Sequence, residues 1–411
     1  MSKLVIVAFG SRGDVAPFTG LGAQLQQAGH DVAIAACAPY QQLVEDAGLE
    51  YRWLPFDPEA GAQSAAGRRY VEDGGSTRKL AGMLGEIREI MGNLGPAVAE
   101  AAKDADILVN SVLGGIFGYH VAEAMGIPSF GGYVTPLEPT GDFPPIMADL
   151  PSLGRRGNLA LGRLTALGQR FYRESINELR RDLGLKPTTV RETLRRQREQ
   201  RWPVLHGFSR HLLPRPKDWR PGLELAGFWW PHRDPDWQPA AELQAFLADG
   251  PPPVYAGFGS LGNGRGGTPG EITVEALRKA KVRGVVSGFE ADGDDMFPIG
   301  NTPFDWLFPR MRAVVHHAGA GTTAQGLAAG VPTVAIPGVV DQFLWATRLK
   351  ALGLAPEAGK QKNLDPVRLA AAIRQAIDDP SYRARAQEIG PRIKAEDSVQ
   401  PVLDLVDKLR P

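Results

Sequence analysis

Residues Val314–Thr323 read VVHHAGAGTT, an apolar run that ends in two histidines and passes into a loop of Gly, Ala and Thr. Adjacent histidines raise the idea of a metal site, whereas the small-residue loop raises that of a phosphate cradle. Successive strand residues point to opposite faces, so only one of His316 and His317 can face the loop. A metal would need further ligands, and the chain has no HExxH motif or Cys/His cluster to supply them. The cradle is the better reading, and no metal is expected. A helix starting near Thr322 would direct N–H groups and a favourable dipole at an anion. Gly319 and Gly321 would let the backbone approach a phosphate, with the hydroxyls of Thr322 and Thr323 as further donors.

The same alternation of short apolar runs and longer helical patterns extends along the chain, as in βα units around parallel sheets. Strands are expected at Leu4–Phe9, Asp31–Ala36, Asp106–Asn110 and Pro128–Tyr133, with helices at Phe18–Gly29, Tyr40–Ala47 and Gly118–Met125. The pattern restarts at Val254–Gly259, with a helix at Glu271–Ala280 and strands at Gly284–Ser287, Ala313–His316 and Thr333–Pro337. Phe9-Gly10-Ser11 and Phe258-Gly259-Ser260 end the first strand of each half, placing the same turn at the same topological point. The expected fold class is α/β, with two Rossmann-like domains built on parallel sheets.

At 411 residues the chain can fill two such domains. The reading assigns 1–215 to the first, 216–240 to a linker and 241–385 to the second. Residues 386–411 form a terminal helix packed back on the first domain. Leu213–Pro253 is thick with Pro and Trp, so the connection should pack rather than swing. Ala60–Lys79 reads as a loop without periodicity. Leu137–Leu153, with Phe143, Ile146 and Met147, reads equally as an acceptor wall or a packed surface crossing. Gln169–Leu183 has an amphipathic helical pattern, and the basic run Arg191–Arg201 reads as a solvated helix face in preference to a membrane contact.

Lys+Arg and Asp+Glu both total 46, which leaves no basic excess for a nucleic acid backbone. The single cysteine, Cys37, sits beside Ala35 and Ala36 as a small buried filler and fits a reducing compartment. No apolar run approaches the ~18 residues of a membrane span. A cytoplasmic protein, monomeric or homodimeric, is expected.

After the strand TVAIP, the turn PGVVDQ places Asp341 and Gln342 24 residues beyond His317, one helix and one strand later. In open α/β sheets, ligands sit at the carboxyl ends of strands. An acid followed by an amide can grip sugar hydroxyls, because the carboxylate accepts and the amide both accepts and donates. With these residues in place, PFDWLFPRMRAVVHHAGAGTTAQGLAAGVPTVAIPGVVDQFLWA strongly resembles the nucleotide-sugar signature of family 1 glycosyltransferases, the UDP-glycosyltransferase superfamily. The nearest branches are bacterial sterol-type glucosyltransferases and glycopeptide-antibiotic glycosyltransferases. The opening FGSRGDVAPF resembles their acceptor-domain motif, and the likeness covers nearly the whole chain.

The resemblance implies a GT-B fold, with acceptor on the first domain and donor on the second, facing across a cleft. It places His317 on the donor pyrophosphate with Gly319, Gly321, Thr322 and Thr323, and makes His316 structural. It puts Ser260 on the phosphates, Phe304 with Ser287 and Gly288 around the base, and Asp341 with Gln342 on the sugar. Trp306 is read as a base-stacking or a core residue. Ala318 stands where the family usually has glycine.

From residue type alone, Asp14 in SRGDVAP suits a helix N-terminus and a general base equally. The resemblance favours the base, acting alone, since the supporting position falls at Asn110 and Ser111, where no carboxylate stands. An inverting, metal-independent transfer of a hexosyl group from UDP-glucose, or from a TDP-sugar, to a lipophilic hydroxylated acceptor is expected. Trp53, Phe56, Phe143, Ile146 and Met147 suggest a sterol, terpenoid, polyketide or antibiotic aglycone. A nucleotide-sugar epimerase and a catalytically silent binding protein are the competing readings.

Overall fold

The computed structural model describes residues 1–57, 84–146, 149–259 and 269–410. Ser260, Met147 and the segment Ala60–Lys79 lie outside the described residues. Among the described residues, twelve strands form two sheets, and every strand pair is parallel. The first contains β1 (Lys3–Val7), β2 (Asp31–Cys37), β3 (Glu50–Leu54), β4 (Ile107–Asn110), β5 (Ser129–Tyr133), β6 (Val204–His206) and β7 (Leu223–Leu225), in the order β3-β2-β1-β4-β5-β6-β7. The second contains β8 (Val254–Gly257), β9 (Gly284–Ser287), β10 (Met296–Ile299), β11 (Ala313–His316) and β12 (Thr333–Ala335), in the order β10-β9-β8-β11-β12. Each order reverses once beside its first strand, between β1 and β4 and between β8 and β11. Such a reversal opens a crevice at the carboxyl ends of the strands. The two crevices fall at the FGS turn and at the His-His loop.

The strands are near-continuous apolar runs because helices cover both faces of a parallel sheet. Leu4, Val5, Ile6 and Val7 are all fully buried, as are Ala313, Val314 and Val315.

The first helix, Arg12–Gln27, begins six residues before the expected start at Phe18. Ser11 and Asp14 set that start. The Ser11 N–H donates to Asp14 Oδ2 at 2.8 Å, and the Asp14 N–H donates to the Ser11 carbonyl at 2.9 Å. Polar capping of this kind leaves no trace in apolar periodicity.

The linker reading is corrected in part, because Leu223–Leu225 lies within 216–240 yet pairs with β6 as the outer strand of the first sheet. Leu223 and Leu225 are buried while Glu224 is exposed, an alternation too short to stand out among prolines and tryptophans. The remainder of the connection is packed on the helix Arg12–Gln27. The His232 N–H donates to Thr19 Oγ1 at 2.9 Å, and the ring of Trp229 lies 5.4 Å from that of Phe18. Gly20 permits this approach, since a Cβ there would lie 2.0 Å from the Trp230 carbonyl oxygen. Gly20→Ala is therefore expected to cost about 2–3 kcal/mol of stability, read as a lower urea midpoint. An unchanged midpoint would show that the connection is free to move away.

At the C-terminus the expected single helix is two, Pro380–Lys394 and Gln400–Leu409. The crossing to the first sheet falls at the break between them, later than residue 386. Ala386, Ile389 and Ile393 pack beside Trp345, whereas Val402 and Val406 join the core around Leu4 and Ile6. Among the described residues, no helix is long and apolar enough to cross a membrane.

Candidate active site

At the β1/β4 crevice, Asp14 occupies the first turn of its helix. Its Oδ2 accepts both the Ser11 N–H, at 2.8 Å, and the Ser11 hydroxyl, at 2.9 Å. Helix start and half-buried carboxylate are thus one arrangement, and the two readings of Asp14 do not compete. Burial raises its pKa above the usual carboxylate range, against the pull of the two Ser11 bonds. The residues after β4 supply no second carboxylate. Ser111 Oγ instead accepts the N–H groups of Phe9 and Gly114, each at 3.3 Å, which ties the Asp14 loop to the next βα turn. Asn110 is fully buried against Gly118.

At the β8/β11 crevice, His316 ends β11 fully buried, and its Nδ1 accepts the Ala318 N–H at 3.0 Å. His317 emerges on the other side, its ring wedged between Gly259 and Gly319. A Cβ on Gly319 would lie 2.4 Å from His317 Nε2, so this glycine accommodates the histidine ring as well as any ligand. Burial lowers the pKa of His316 to about 3 and of His317 to about 4. Both are neutral at pH 7, so His317 carries no charge and a single N–H, for which the Gly257 carbonyl and a phosphate would compete. Ala318 has φ +63° and is completely buried. A side chain in this region costs about 1–2 kcal/mol. Burial of its methyl group returns about 0.8 kcal/mol, so an alanine is sustained where glycine would be unstrained.

The following helix runs Ala320–Ala329 with Gly319 as its N-cap, two residues earlier than expected. Its first three N–H groups, those of Ala320, Gly321 and Thr322, lack intrahelical acceptors by geometry. The Thr323 N–H already bonds the Gly319 carbonyl at 2.9 Å, and its hydroxyl is buried without a partner. The helix start therefore presents Gly319, Gly321 and Thr322, while the Thr323 side chain belongs to the interior.

After β12, the PGVVDQ turn closes on itself. Gln342 Oε1 accepts the N–H groups of Gly338, at 2.8 Å, and Val339, at 3.1 Å. Only the amide nitrogen of Gln342 is left to meet a sugar. Asp341 Oδ2 accepts the indole N–H of Trp345 at 2.7 Å, one helical turn on, and Trp345 is fully buried. Burial raises the Asp341 pKa to about 6, and the charge of Asp14 adds to the effect. The contact between the helices Arg12–Gln27 and Ala320–Ala329 brings the two crevices face to face. An Arg12–Asn301 hydrogen bond of 2.9 Å also spans the halves.

The residues expected around a base are less exposed than the sequence implies. Ser287 ends β9 and bonds the buried Tyr255 hydroxyl. Phe304 stacks on Phe308 at 4.3 Å. Trp306 packs edge-on to Trp237 at 5.4 Å under the Arg310 guanidinium.

On the acceptor side, Phe143 and Ile146 are buried beside Trp202, Trp219 and Trp345, so this part of Leu137–Leu153 is a packed crossing. Trp53 is 58% exposed on the outer strand β3, two strands from the crevice. Phe56 packs against Phe9 at 5.6 Å. Sequence reasoning missed the anchors of this loop. Glu138 Oε2 meets His206 Nε2 at 2.9 Å, and Asp218 accepts the Thr140 hydroxyl at 2.6 Å and the Gly141 N–H at 2.7 Å. These contacts are long-range and have no local signature. Asp149 pairs with Lys360, which lies 5.7 Å from the ring of Phe343 and thus links the loop to the donor half. Ser11 was missed as well, although its Ser-x-x-Asp spacing is a local signal that could have found it. Among the described residues, no three His, Cys, Asp or Glu side chains are grouped as metal ligands would be.

Two parallel sheets whose crevices face each other, one holding a carboxylate and the other a helix start with free N–H groups, are the arrangement of a two-domain α/β protein with a ligand cleft between its halves. Comparison with known proteins supplies the family. Residues 4–136 match the glycosyltransferase family 28 N-terminal domain, and residues 293–409 match the erythromycin biosynthesis protein CIII-like C-terminal domain. The chain is 32% identical over 425 residues to O-mycaminosyltylonolide 6-deoxyallosyltransferase of Streptomyces fradiae, covering 99% of this chain and 97% of that protein. It is 33% identical over 415 residues to sterol 3-beta-glucosyltransferase UGT80A2 of Arabidopsis thaliana, covering 97% of this chain but only 64% of that longer relative. The solved glycosyltransferase VinC in complex with DTDP superposes with a TM-score of 0.67 at 21% identity, over 99% of both chains. The chain belongs to this family of glycosyltransferases and has the GT-B fold.

Proposed function

We propose that the protein transfers a hexosyl group, with inversion, from a nucleoside-diphosphate sugar to a hydroxyl of a lipophilic small molecule. The observation that carries this reading is the contact between the helix Arg12–Gln27, which holds Asp14 in its first turn, and the helix Ala320–Ala329, which starts at the His-His loop. An acceptor hydroxyl on the first domain gives its proton to Asp14 as its oxygen attacks the anomeric carbon. The bond from that carbon to the diphosphate oxygen breaks on the opposite face. Charge growing on the departing diphosphate meets the N–H groups of Ala320, Gly321 and Thr322, and an N–H of neutral His317. These donors supply stabilisation of the kind a divalent cation supplies elsewhere, which supports a metal-independent transfer. Asp341 holds the sugar hydroxyls, and this requirement favours UDP-glucose over a deoxysugar donor. The VinC structure, with its DTDP, keeps a TDP-sugar as the alternative.

Mass spectrometry of products from a panel of sterol and macrolide acceptors, run with UDP-glucose and TDP-glucose in parallel, tests the proposal. One added hexosyl group, in the β configuration from an α-linked donor, is the expected result. Retained configuration, or epimerised donor with no glycoside, would overturn it.

A further inference from the structure

The segment Leu150–Arg173 contains five arginines and no Asp, Glu or Lys, in a chain of zero formal charge. It forms the helix Gly154–Ala166 and a following 3-10 turn, Leu167–Tyr172. Leu150, Leu153, Leu164 and Phe171 are 40%, 59%, 64% and 48% exposed, and make up half of the large apolar side chains exposed among the described residues. Leu164 lies 11 residues after Leu153, about three α-helical turns, and Phe171 follows in the 3-10 turn. Arg156, Arg163 and Arg170 follow at intervals of 7 along the flank, all exposed and without ion pairs among the described residues.

The opposite face is fixed to the protein. Asn158 is 1% exposed, accepts the Leu153 N–H at 2.9 Å and donates to the Gly141 carbonyl at 3.1 Å, and Gly162 packs on Pro139. The helix is thus held firmly against the loop Leu137–Leu153 while its outer face is apolar and cationic. Apolar tips flanked by arginine are suited to lying in the headgroup layer of an anionic bilayer.

We propose that Leu150–Arg173 docks the protein on an anionic lipid surface, which sets the acceptor loop against the bilayer. A second copy of the chain fits the surface less well, since two such faces would oppose arginine to arginine. The docking itself does not depend on the reaction. Only its use, collection of a lipophilic acceptor from the bilayer, rests on the proposed function.

Flotation of the full chain with vesicles tests the docking without any acceptor. Vesicles of phosphatidylcholine with phosphatidylglycerol should carry the protein at least about tenfold better than phosphatidylcholine alone, with loss of binding in high salt. Each arginine near an anionic surface strengthens binding about fivefold, so Arg156→Glu with Arg163→Glu should cut partition more than about tenfold. Leu164→Ser with Phe171→Ser should also release the protein. Both double variants should melt like the parent and turn over a detergent-dispersed acceptor at the parent rate. Equal binding to both vesicle types, full retention by either variant, or a dimer broken by the variants in place of lipid binding would overturn the proposal. Vesicle binding without glycosyl transfer would refute the proposed function and leave the docking intact.

Discussion

Asp14→Asn lowers kcat by about 10³-fold and leaves nucleoside diphosphate affinity within about twofold. A positioned general base contributes about 10²–10⁴-fold, and Asp14 is the carboxylate of the acceptor crevice. Nothing places it on the nucleotide. Asparagine keeps an oxygen for the Ser11 N–H, now 2.8 Å from Oδ2, so the start of the helix Arg12–Gln27 should survive. The pH profile adds a signature that damage to the scaffold would not give. Burial raises the Asp14 pKa and the ionised form accepts the proton, so kcat/KM falls as pH drops through the raised value and is level above it. The residual activity of the variant should lack that limb. Steady-state kinetics with UDP-glucose, and calorimetric titration with UDP, read both quantities. Full kcat in the variant would remove Asp14 from the chemistry, and joint loss of kcat and UDP binding would mark a structural role.

The parts legible in the sequence are those written in local patterns. Apolar runs of four to six residues gave most strands of both sheets, and the shared FGS turn marked corresponding crevices. The alternation of a strand correctly separated His316 from His317. What was not legible depends on contacts distant in sequence or on polar geometry. The strands Val204–His206 and Leu223–Leu225 are three residues each and buried by partners far along the chain. Thr323 looked like a ligand because the helix was started late, and two residues of shift move its hydroxyl from cleft to core. Phe143 and Ile146 were left between an acceptor wall and a packed crossing, because a proline-rich loop has no periodicity to report burial. Gln342 was read for its chemistry, yet its oxygen is consumed by the turn that presents Asp341. The N–H groups at the start of the helix Ala320–Ala329 are untouched by these corrections, because backbone donors are fixed once strand and helix are fixed.

Asp341→Asn should stabilise the protein while disabling it. The ordinary carboxyl value is 3.8, and burial holds Asp341 near 6. Two pKa units correspond to about 3 kcal/mol, reduced to about 2 kcal/mol because the side chain is partly open to solvent. The sign follows from proton binding. Between the two values the folded state holds the proton more tightly than the unfolded chain, so stability falls as pH rises through this window. Above about pH 6 the wild type carries the whole cost of a buried charge, and the variant carries none. Thermal or urea unfolding should show the variant ahead by about 2 kcal/mol at pH 8, with the gap closing toward pH 4. Trp345 does not oppose this, since the oxygen of asparagine can accept the indole N–H that now meets Oδ2 at 2.7 Å. Transfer should move the other way. Hydrogen bonds from sugar hydroxyls to a carboxylate contribute about 1.5–3 kcal/mol each, so kcat/KM should drop about 10²-fold or more while UDP binding is kept. A merely structural Asp341 would leave transfer unchanged once the fold was secured. Loss of both stability and activity would mean that the carboxylate is engaged by the protein itself, leaving the sugar to be held elsewhere. Gain of stability with loss of transfer is the pattern of a charge kept in an unfavourable place for the sake of its ligand.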